Sequence, residues 1–251
     1  MKCLIFREIS SRFPVLCRTF VNHNLDPMIS FFKKYKLFIT TLFVLSCIII
    51  TLFYNILNPV KVLPIYQPAQ VNYELVDSTI QHQKKYHRIA DFSLINQNGD
   101  TITQAFYNDK IYVADFFFTT CQTICPIMTG HMHDIQKQTI TDPEILLLSH
   151  SVTPEIDTVA QLKRYAKKKL VNASKWNLVT GDKKQIYELA RKSYLAVKDA
   201  GDGGPYDMIH TENFMLIDKK RQIRGFYDGT DPEEIERLLE DIKILKASYK
   251  N

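Results

Sequence analysis

Between Leu37 and Leu57 the chain reads LFITTLFVLSCIIITLFYNIL, 21 residues without a charged side chain. About 20 apolar residues cross the hydrocarbon core of a bilayer, so this run predicts a membrane-spanning helix. Beyond it the pattern changes. Residues 58–86 begin with Pro59, Pro64 and Pro68 and then turn polar, the composition of a stalk. From His87 onward, short apolar runs alternate with amphipathic stretches. FSLIN and TITQ around Asn98-Gly99 predict a β-hairpin with a type I′ turn. Ile111–Phe118 (IYVADFFF) is a dense β-branched and aromatic run, the pattern of a strand buried on both faces. Pro126 suits the first turn of a helix running to about Gln138.

Ile145–Ser149 reads as a second buried strand, and Asp157–Lys169 as an amphipathic helix with Val159, Leu162, Tyr165 and Ala166 on one face. Trp176–Thr180 is a short strand, and Lys183–Ser193 a helix with Ile186, Leu189 and Ala190 inward. A loop with Gly201, Gly203 and Gly204 leads to His210. Phe214–Asp218 and Ile223–Tyr227 form a second hairpin, and Asp231-Pro232 caps a last helix ending near Lys246. This order predicts an α/β domain with a mixed, mostly parallel sheet flanked by helices. The expected organisation is a basic segment at 1–36, an anchor at 37–57, a linker at 58–86 and a folded domain at 87–251.

Charge fixes the expected topology. The chain has 251 residues and a formal net charge of +5. Residues 1–36 hold seven Lys and Arg against Glu8 and Asp26, and the rest balances at 25 basic and 25 acidic residues. Lys33, Lys34 and Lys36 stand directly before the apolar run, so its N-terminal side is expected in the cytoplasm and the domain outside it. The folded part has no basic excess, which argues against a nucleic-acid partner. Tyr35 and Tyr54 fall near the two membrane interfaces. Val44-Leu45-Ser46-Cys47 faintly matches a lipoprotein cleavage box, but Ile48-Ile49-Ile50 follows, and an uncleaved anchor fits better. Met28 offers an alternative start before a compact MISFFKKYK leader.

Five cysteines are too few and too scattered for a disulfide scaffold. Only Cys121 and Cys125 fall in the domain, where a strand ends and a helix begins. Free N–H groups at a helix start favour thiolate. Such a pair makes either a disulfide or a soft-metal site, and both need deprotonated sulfur. Thiolates select ions such as Cu(I), and a mixed sulfur–imidazole set also serves Cu(II). Two cysteines leave a divalent ion under-coordinated, so a histidine is expected. Among the seven histidines, His131 and His133 lie too far down the helix for comfortable shared ligation. His82 and His87 belong to the stalk region, and His150 follows a strand. His210, just before a strand neighbouring the cysteine loop in a thioredoxin-type sheet, is the best placed. Asp115 is either a buried proton acceptor or else a solvent-edge or hydrogen-bonded residue. Met128 and Met132 have the spacing of core residues.

These residues resemble the SCO/SenC family of membrane-anchored, thioredoxin-like copper proteins needed for cytochrome c oxidase assembly. The resemblance rests on Cys121-x-x-x-Cys125-Pro126 after a Phe-rich strand and on Val152-Thr153-Pro154-Glu155-Ile156-Asp157-Thr158. It also rests on Trp176 through Thr180-Gly181-Asp182, and on His210-Thr211 before the strand ending in Asp218. It implies that Cys121, Cys125 and His210 hold one copper, Cu(I) or Cu(II), per chain. The implied role is a copper chaperone for the copper-bearing subunit of the oxidase. The alternative is a thiol–disulfide reductase, with Cys121 and Cys125 as the redox pair, that keeps that subunit's cysteines reduced. Other copper chaperones or thioredoxin-like reductants are further implied partners, and the membrane is contacted through one helix. The expected location is a bacterial inner membrane with the domain in the periplasm. The alternative is a mitochondrial inner membrane with the domain in the intermembrane space. Gln122-Thr123 departs from the Pro-Asp of many relatives, and Val152-Thr153-Pro154-Glu155 from their Ile-Asp-Pro-Glu. Neither change is expected to touch a ligand.

Overall fold

The computed structural model describes residues 30–57, 61–71, 79–197, 204 and 208–249. Cys3, Cys17, Met28, Pro59, Asp199, Gly201, Asp202, Gly203 and Asp207 lie outside the described residues. The chain divides into two compact units, Met1–Val60 and Lys61–Asn251.

In the first unit, helix α1 runs over Lys36–Leu57, 22 residues with no buried side chain. Its length and composition suffice to cross a membrane. The threonine hydroxyls in the apolar run are satisfied inside the helix. Thr40 donates to the Leu37 carbonyl at 2.9 Å, Thr41 to Phe38 at 2.8 Å and Thr51 to Cys47 at 2.7 Å. Internal satisfaction is what lipid demands of polar groups.

The second unit is built on a seven-stranded sheet. Its strands are β1 (Ser93–Asn96), β2 (Thr101–Thr103), β3 (Ile111–Phe117), β4 (Ile145–Ser151), β5 (Trp176–Thr180), β6 (Asn213–Ile217) and β7 (Ile223–Asp228). They lie in the order β2-β1-β5-β4-β3-β6-β7. Every residue of β3, β4 and β5 is buried, as a strand covered on both faces requires. Helices α2 (Ile124–Thr139), α3 (Val159–Lys168) and α5 (Pro232–Ala247) cover one face through Met128, Met132, Leu162, Leu238 and Ile242. Helix α4 (Lys183–Glu188) covers the other through Ile186 and Tyr187, and continues as a π turn over Leu189–Ser193 rather than as plain helix. Met128 and Met132 are core residues, as their spacing indicated.

Three expectations change. The sheet is mixed but not mostly parallel, because only β3–β4 and β4–β5 pair in parallel. Pairs β1–β2, β1–β5, β3–β6 and β6–β7 are antiparallel, since the two hairpins add at opposite edges of a short parallel centre. The first hairpin does not turn on Asn98-Gly99. Gly99 donates its N–H to the Asn96 carbonyl at 3.0 Å, so the central residues are Gln97 and Asn98. Only Gly99 has positive φ, 89°, the glycine position after a type I turn.

The third change concerns the stalk. Leu63 is buried against Phe214, Tyr227 and the α5 residues of one core cluster. Tyr66 donates its N–H to the Ile223 carbonyl at 2.9 Å. Arg224 donates from Nε to the Pro64 carbonyl at 2.8 Å and from Nη2 to Leu63 at 2.6 Å. Residues 61–71 therefore belong to the folded unit, which starts at Lys61 rather than His87.

Helix α5 opens as the sequence indicates. Asp231 accepts from the Glu233 N–H at 2.9 Å, Pro232 occupies the first turn, and Glu233 and Glu234 face the dipole. Asp231→Ala is expected to cost about 1 kcal/mol, read as a lower urea midpoint with unchanged slope.

Candidate metal centre

Strand β3 delivers the chain to the cysteine loop at its C-terminal end. Cys121 donates its N–H to the Phe118 carbonyl at 3.3 Å, which turns the backbone back toward the sheet. Its sulfur then meets the start of α2, where the Cys125 N–H donates to Cys121 Sγ at 3.4 Å. The Thr123 hydroxyl lies 3.7 Å from the same sulfur. Cys125 is buried among Met128 and its neighbours, while Cys121 is partly open to solvent.

The two thiols are therefore unequal. Burial resists ionisation of Cys121, but hydrogen bonds from Cys125 and Thr123 outweigh it and bring the thiol down to about 7. Burial pushes Cys125 up to about 12 against a hydrogen bond from Phe118, and the neighbouring Cys121 and Asp115 push the same way. The expectation that Gln122-Thr123 touches no candidate ligand is thus overturned. Thr123 stands against the Cys121 sulfur.

Below the loop, Asp115 is buried in β3, which excludes a solvent-edge position. Burial raises its carboxyl to about 7, opposed by a hydrogen bond from Ser149. Its Oδ1 has no hydrogen-bond partner in the structure.

His210 reaches the same end of the sheet from the other side. Strand β6 pairs antiparallel with β3, with Ala114 opposite Met215 and Tyr112 opposite Ile217. The start of β6 thus lies toward the cysteine end of β3, and His210 precedes Asn213 by three residues. It is exposed between two held neighbours. Ile209 donates its N–H to the Tyr187 hydroxyl at 3.4 Å, and the Thr211 hydroxyl donates to the Ala196 carbonyl at 2.8 Å. The structure brings Cys121 and Cys125 together and leaves His210 apart from them. No group of three or more His, Cys, Asp or Glu side chains is gathered as a metal site among the described residues.

The other described histidines serve the fold or the surface. His150 lies within β4, not after a strand, and is fully buried. It stacks on Phe116 with ring centroids 4.9 Å apart, and burial drives its pKa down to about 3. His87 is buried with Nε2 2.8 Å from the Ser193 carbonyl, and His131 Nδ1 lies 2.8 Å from the Gly229 carbonyl. His82 is exposed, and His133 lies beside Gln136.

Sequence reasoning missed how the cysteine loop is held. Asp157 is fully buried between β4 and α3. Its carboxylate accepts from Ser151 Oγ at 2.6 Å, Thr153 Oγ1 at 3.1 Å, the Thr119 N–H at 3.2 Å and the Thr119 hydroxyl. Ser151, Thr153 and Asp157 are close in sequence, but Thr119 comes 38 residues before Asp157, so nothing local marks the link.

With the geometry in place, comparison with known proteins is decisive. The SCO1/SenC family model matches residues 80–246, more than half of the chain. The chain belongs to the SCO1/SenC family. It is 31% identical over 159 residues to the SCO1 protein homolog of Bacillus subtilis, covering 62% of this chain and 82% of that protein. The solved structure of BsSco is 30% identical with a TM-score of 0.54, over 63% of this chain and 93% of that one. That protein is described as a member of the Sco family of cytochrome c oxidase assembly proteins with a disulfide switch. The copper-bound structure of Arabidopsis thaliana ScoI shares the fold at 24% identity and a TM-score of 0.50, over 61% of this chain and 97% of that one. These Sco structures bear out the thioredoxin-like, helix-flanked mixed sheet.

Proposed function

We propose that this SCO1/SenC protein carries one copper ion as cargo, held by Cys121, Cys125 and His210, and passes it to the copper-bearing subunit of cytochrome c oxidase. The observation that carries this reading is the cysteine pair itself. Two sulfurs share a helix start, one of them poised to ionise at about 7, at the end of the sheet from which β6 brings His210. That donor set fits a soft ion, since thiolate and imidazole together suit copper in either oxidation state. Proton release from the thiols accompanies loading. His210, exposed on the segment entering β6 and apart from the sulfurs in this structure, would move toward them from across the sheet end to supply the third donor. Oxidase assembly is what BsSco is described as serving, and copper is bound in the Arabidopsis relative. Lys33, Lys34 and Lys36 before α1 support a domain on the exported face, the periplasm in a bacterial cell.

A second reading, thiol–disulfide reduction, is favoured by the unequal thiols. The Cys121 thiolate would attack a partner disulfide, forming a mixed disulfide and releasing one partner thiolate. Cys125, on losing its proton, would then attack Cys121 Sγ, closing the intramolecular disulfide and releasing the second partner sulfur. The buried, high-pKa Cys125 suits the resolving role. His210 has no part in that exchange.

The test is copper stoichiometry on the full chain in detergent micelles, reduced and loaded anaerobically with Cu(I), beside His210→Ala. The expected result is one copper per chain, with affinity reduced about tenfold or more in the variant. No binding by the parent would sink the copper reading and leave the reductase one, and equal binding by both would overturn the three-ligand site with His210.

A further inference from the structure

The Cys121 sulfur that faces the Cys125 N–H at 3.4 Å is carried by the Phe118–Thr123 segment. Within that segment, Thr119 is tied twice to Asp157, through its N–H at 3.2 Å and through its hydroxyl. Gln161 Nε2 donates to the same hydroxyl at 2.9 Å and fixes its orientation from α3. Asp157 is itself immobilised. Its Oδ2 also accepts from Ser151 and Thr153, and its own N–H donates to the Thr153 carbonyl at 2.8 Å. Ser151 closes β4, beside the end of β3 in the parallel register that pairs it with Phe117. A buried carboxylate held by several donors cannot drift, because any donor left unpaired in the interior costs free energy. The cysteine loop therefore hangs from a rigid point on the neighbouring strand and helix.

We propose that Asp157, acting through Thr119, is a positioning residue that sets the Cys121 sulfur against the start of α2. Neither residue touches the sulfur. Their effect passes along two peptide units, from Thr119 through Thr120 to Cys121. Thr120 is exposed and has no hydrogen bond of its own in the structure, so the anchor nearest Cys121 on its N-terminal side is Thr119. Release of Thr119 would let the turn open, and the sulfur would lose the N–H that faces it. This concerns the loop used by the proposed function, but it holds for either reading, and its test involves no copper.

The measurement is the rate at which iodoacetamide alkylates Cys121 in the reduced full chain in detergent micelles, at pH 7, assigned by peptide mass. Thr119→Val keeps the shape and removes the hydroxyl, and is expected to slow alkylation about three- to tenfold. Thr119→Ser, which restores the hydroxyl, is expected to recover most of the rate. Ser151→Ala removes a different donor from Asp157 and serves as the control for a merely structural role. It is expected to lower the unfolding midpoint while changing the rate less than Thr119→Val does. In Asp157→Asn, adding Thr119→Val should produce little further slowing, because both act through one link. The proposal is overturned if Thr119→Val alkylates at the parental rate, or if Ser151→Ala slows it as much. Failure of Asp157→Asn to fold would leave the Thr119 series to decide. A parent chain that binds no copper would sink the copper reading without bearing on this one.

Discussion

Alkylation of the reduced chain at pH 8 is expected to label Cys121 about a hundredfold faster than Cys125. With thiols at about 7 and about 12, Cys121 is mostly thiolate at that pH and Cys125 almost wholly protonated. The thiolate fractions differ by roughly four orders of magnitude. Part of that advantage is lost, because a thiolate of higher pKa is the better nucleophile. A Brønsted slope of about 0.4–0.5 over this gap returns roughly two orders. Burial of Cys125 then hinders the reagent further. The rate at Cys121 should rise as pH passes through about 7 and flatten above it, since only the deprotonated form reacts. Peptide mapping over pH 5–9 is the check. Equal labelling of both cysteines, or a Cys121 profile still rising at pH 9, would contradict the inequality and with it the attacking and resolving roles.

Arg224→Ala is expected to destabilise the second unit by about 3–5 kcal/mol. Arg224 Nη1 lies 3.0 Å from Asp218 Oδ2, and both side chains are nearly or fully buried. Removing the guanidinium strands the Asp218 carboxylate inside the protein, where the Lys220 and Gln222 N–H groups at 2.8 and 2.9 Å still hold it but no cation balances its charge. The same change frees the Leu63 and Pro64 carbonyls, so the segment from Lys61 keeps only the Tyr66 N–H to the Ile223 carbonyl as a hydrogen bond to β7 among the described residues. Two observables should therefore move together. The denaturant midpoint falls, and proteolysis near Leu63 becomes faster than in the parent. Replacing both partners, as in Arg224→Met with Asp218→Leu, should recover part of the stability by removing the stranded charge. It should not recover full protection of the Leu63 segment, because the Leu63 and Pro64 carbonyls still lack the guanidinium. A single variant with an unchanged midpoint would show that the pair contributes nothing net.

The candidate site was legible in uneven parts. Cys121 and Cys125 stood out because a strand–cysteine–helix order is local, and its chemistry follows from a few adjacent residues. Met128 and Met132 were read as core because helical spacing is equally local. Gln122-Thr123 was misjudged for the opposite reason. Whether Thr123 faces the sulfur depends on how the loop folds back, and spacing along the chain carries no such direction. The stalk was misread because proline and polar composition describe how a free segment behaves. They do not reveal that Leu63 finds a place among Phe214, Tyr227 and α5, or that Arg224 awaits its carbonyl.

By itself the sequence determined the long apolar helix, the alternation of strands and helices, the buried centre of the sheet and the identity of the cysteine pair. Each of these is written in periodicity or in neighbouring residues, where 3.6- and 2-residue repeats and an uncharged run have direct physical meaning. Only the tertiary structure decided the antiparallel pairing of four strand pairs, the start of the folded unit at Lys61, the burial of Asp115 and the tie between Asp157 and Thr119. It also decided that the two thiols differ in proton affinity, which the motif alone leaves equal. All of these depend on contacts between residues distant in sequence. Burial and hydrogen bonding, which set pKa values and hold loops, exist only once those contacts have formed.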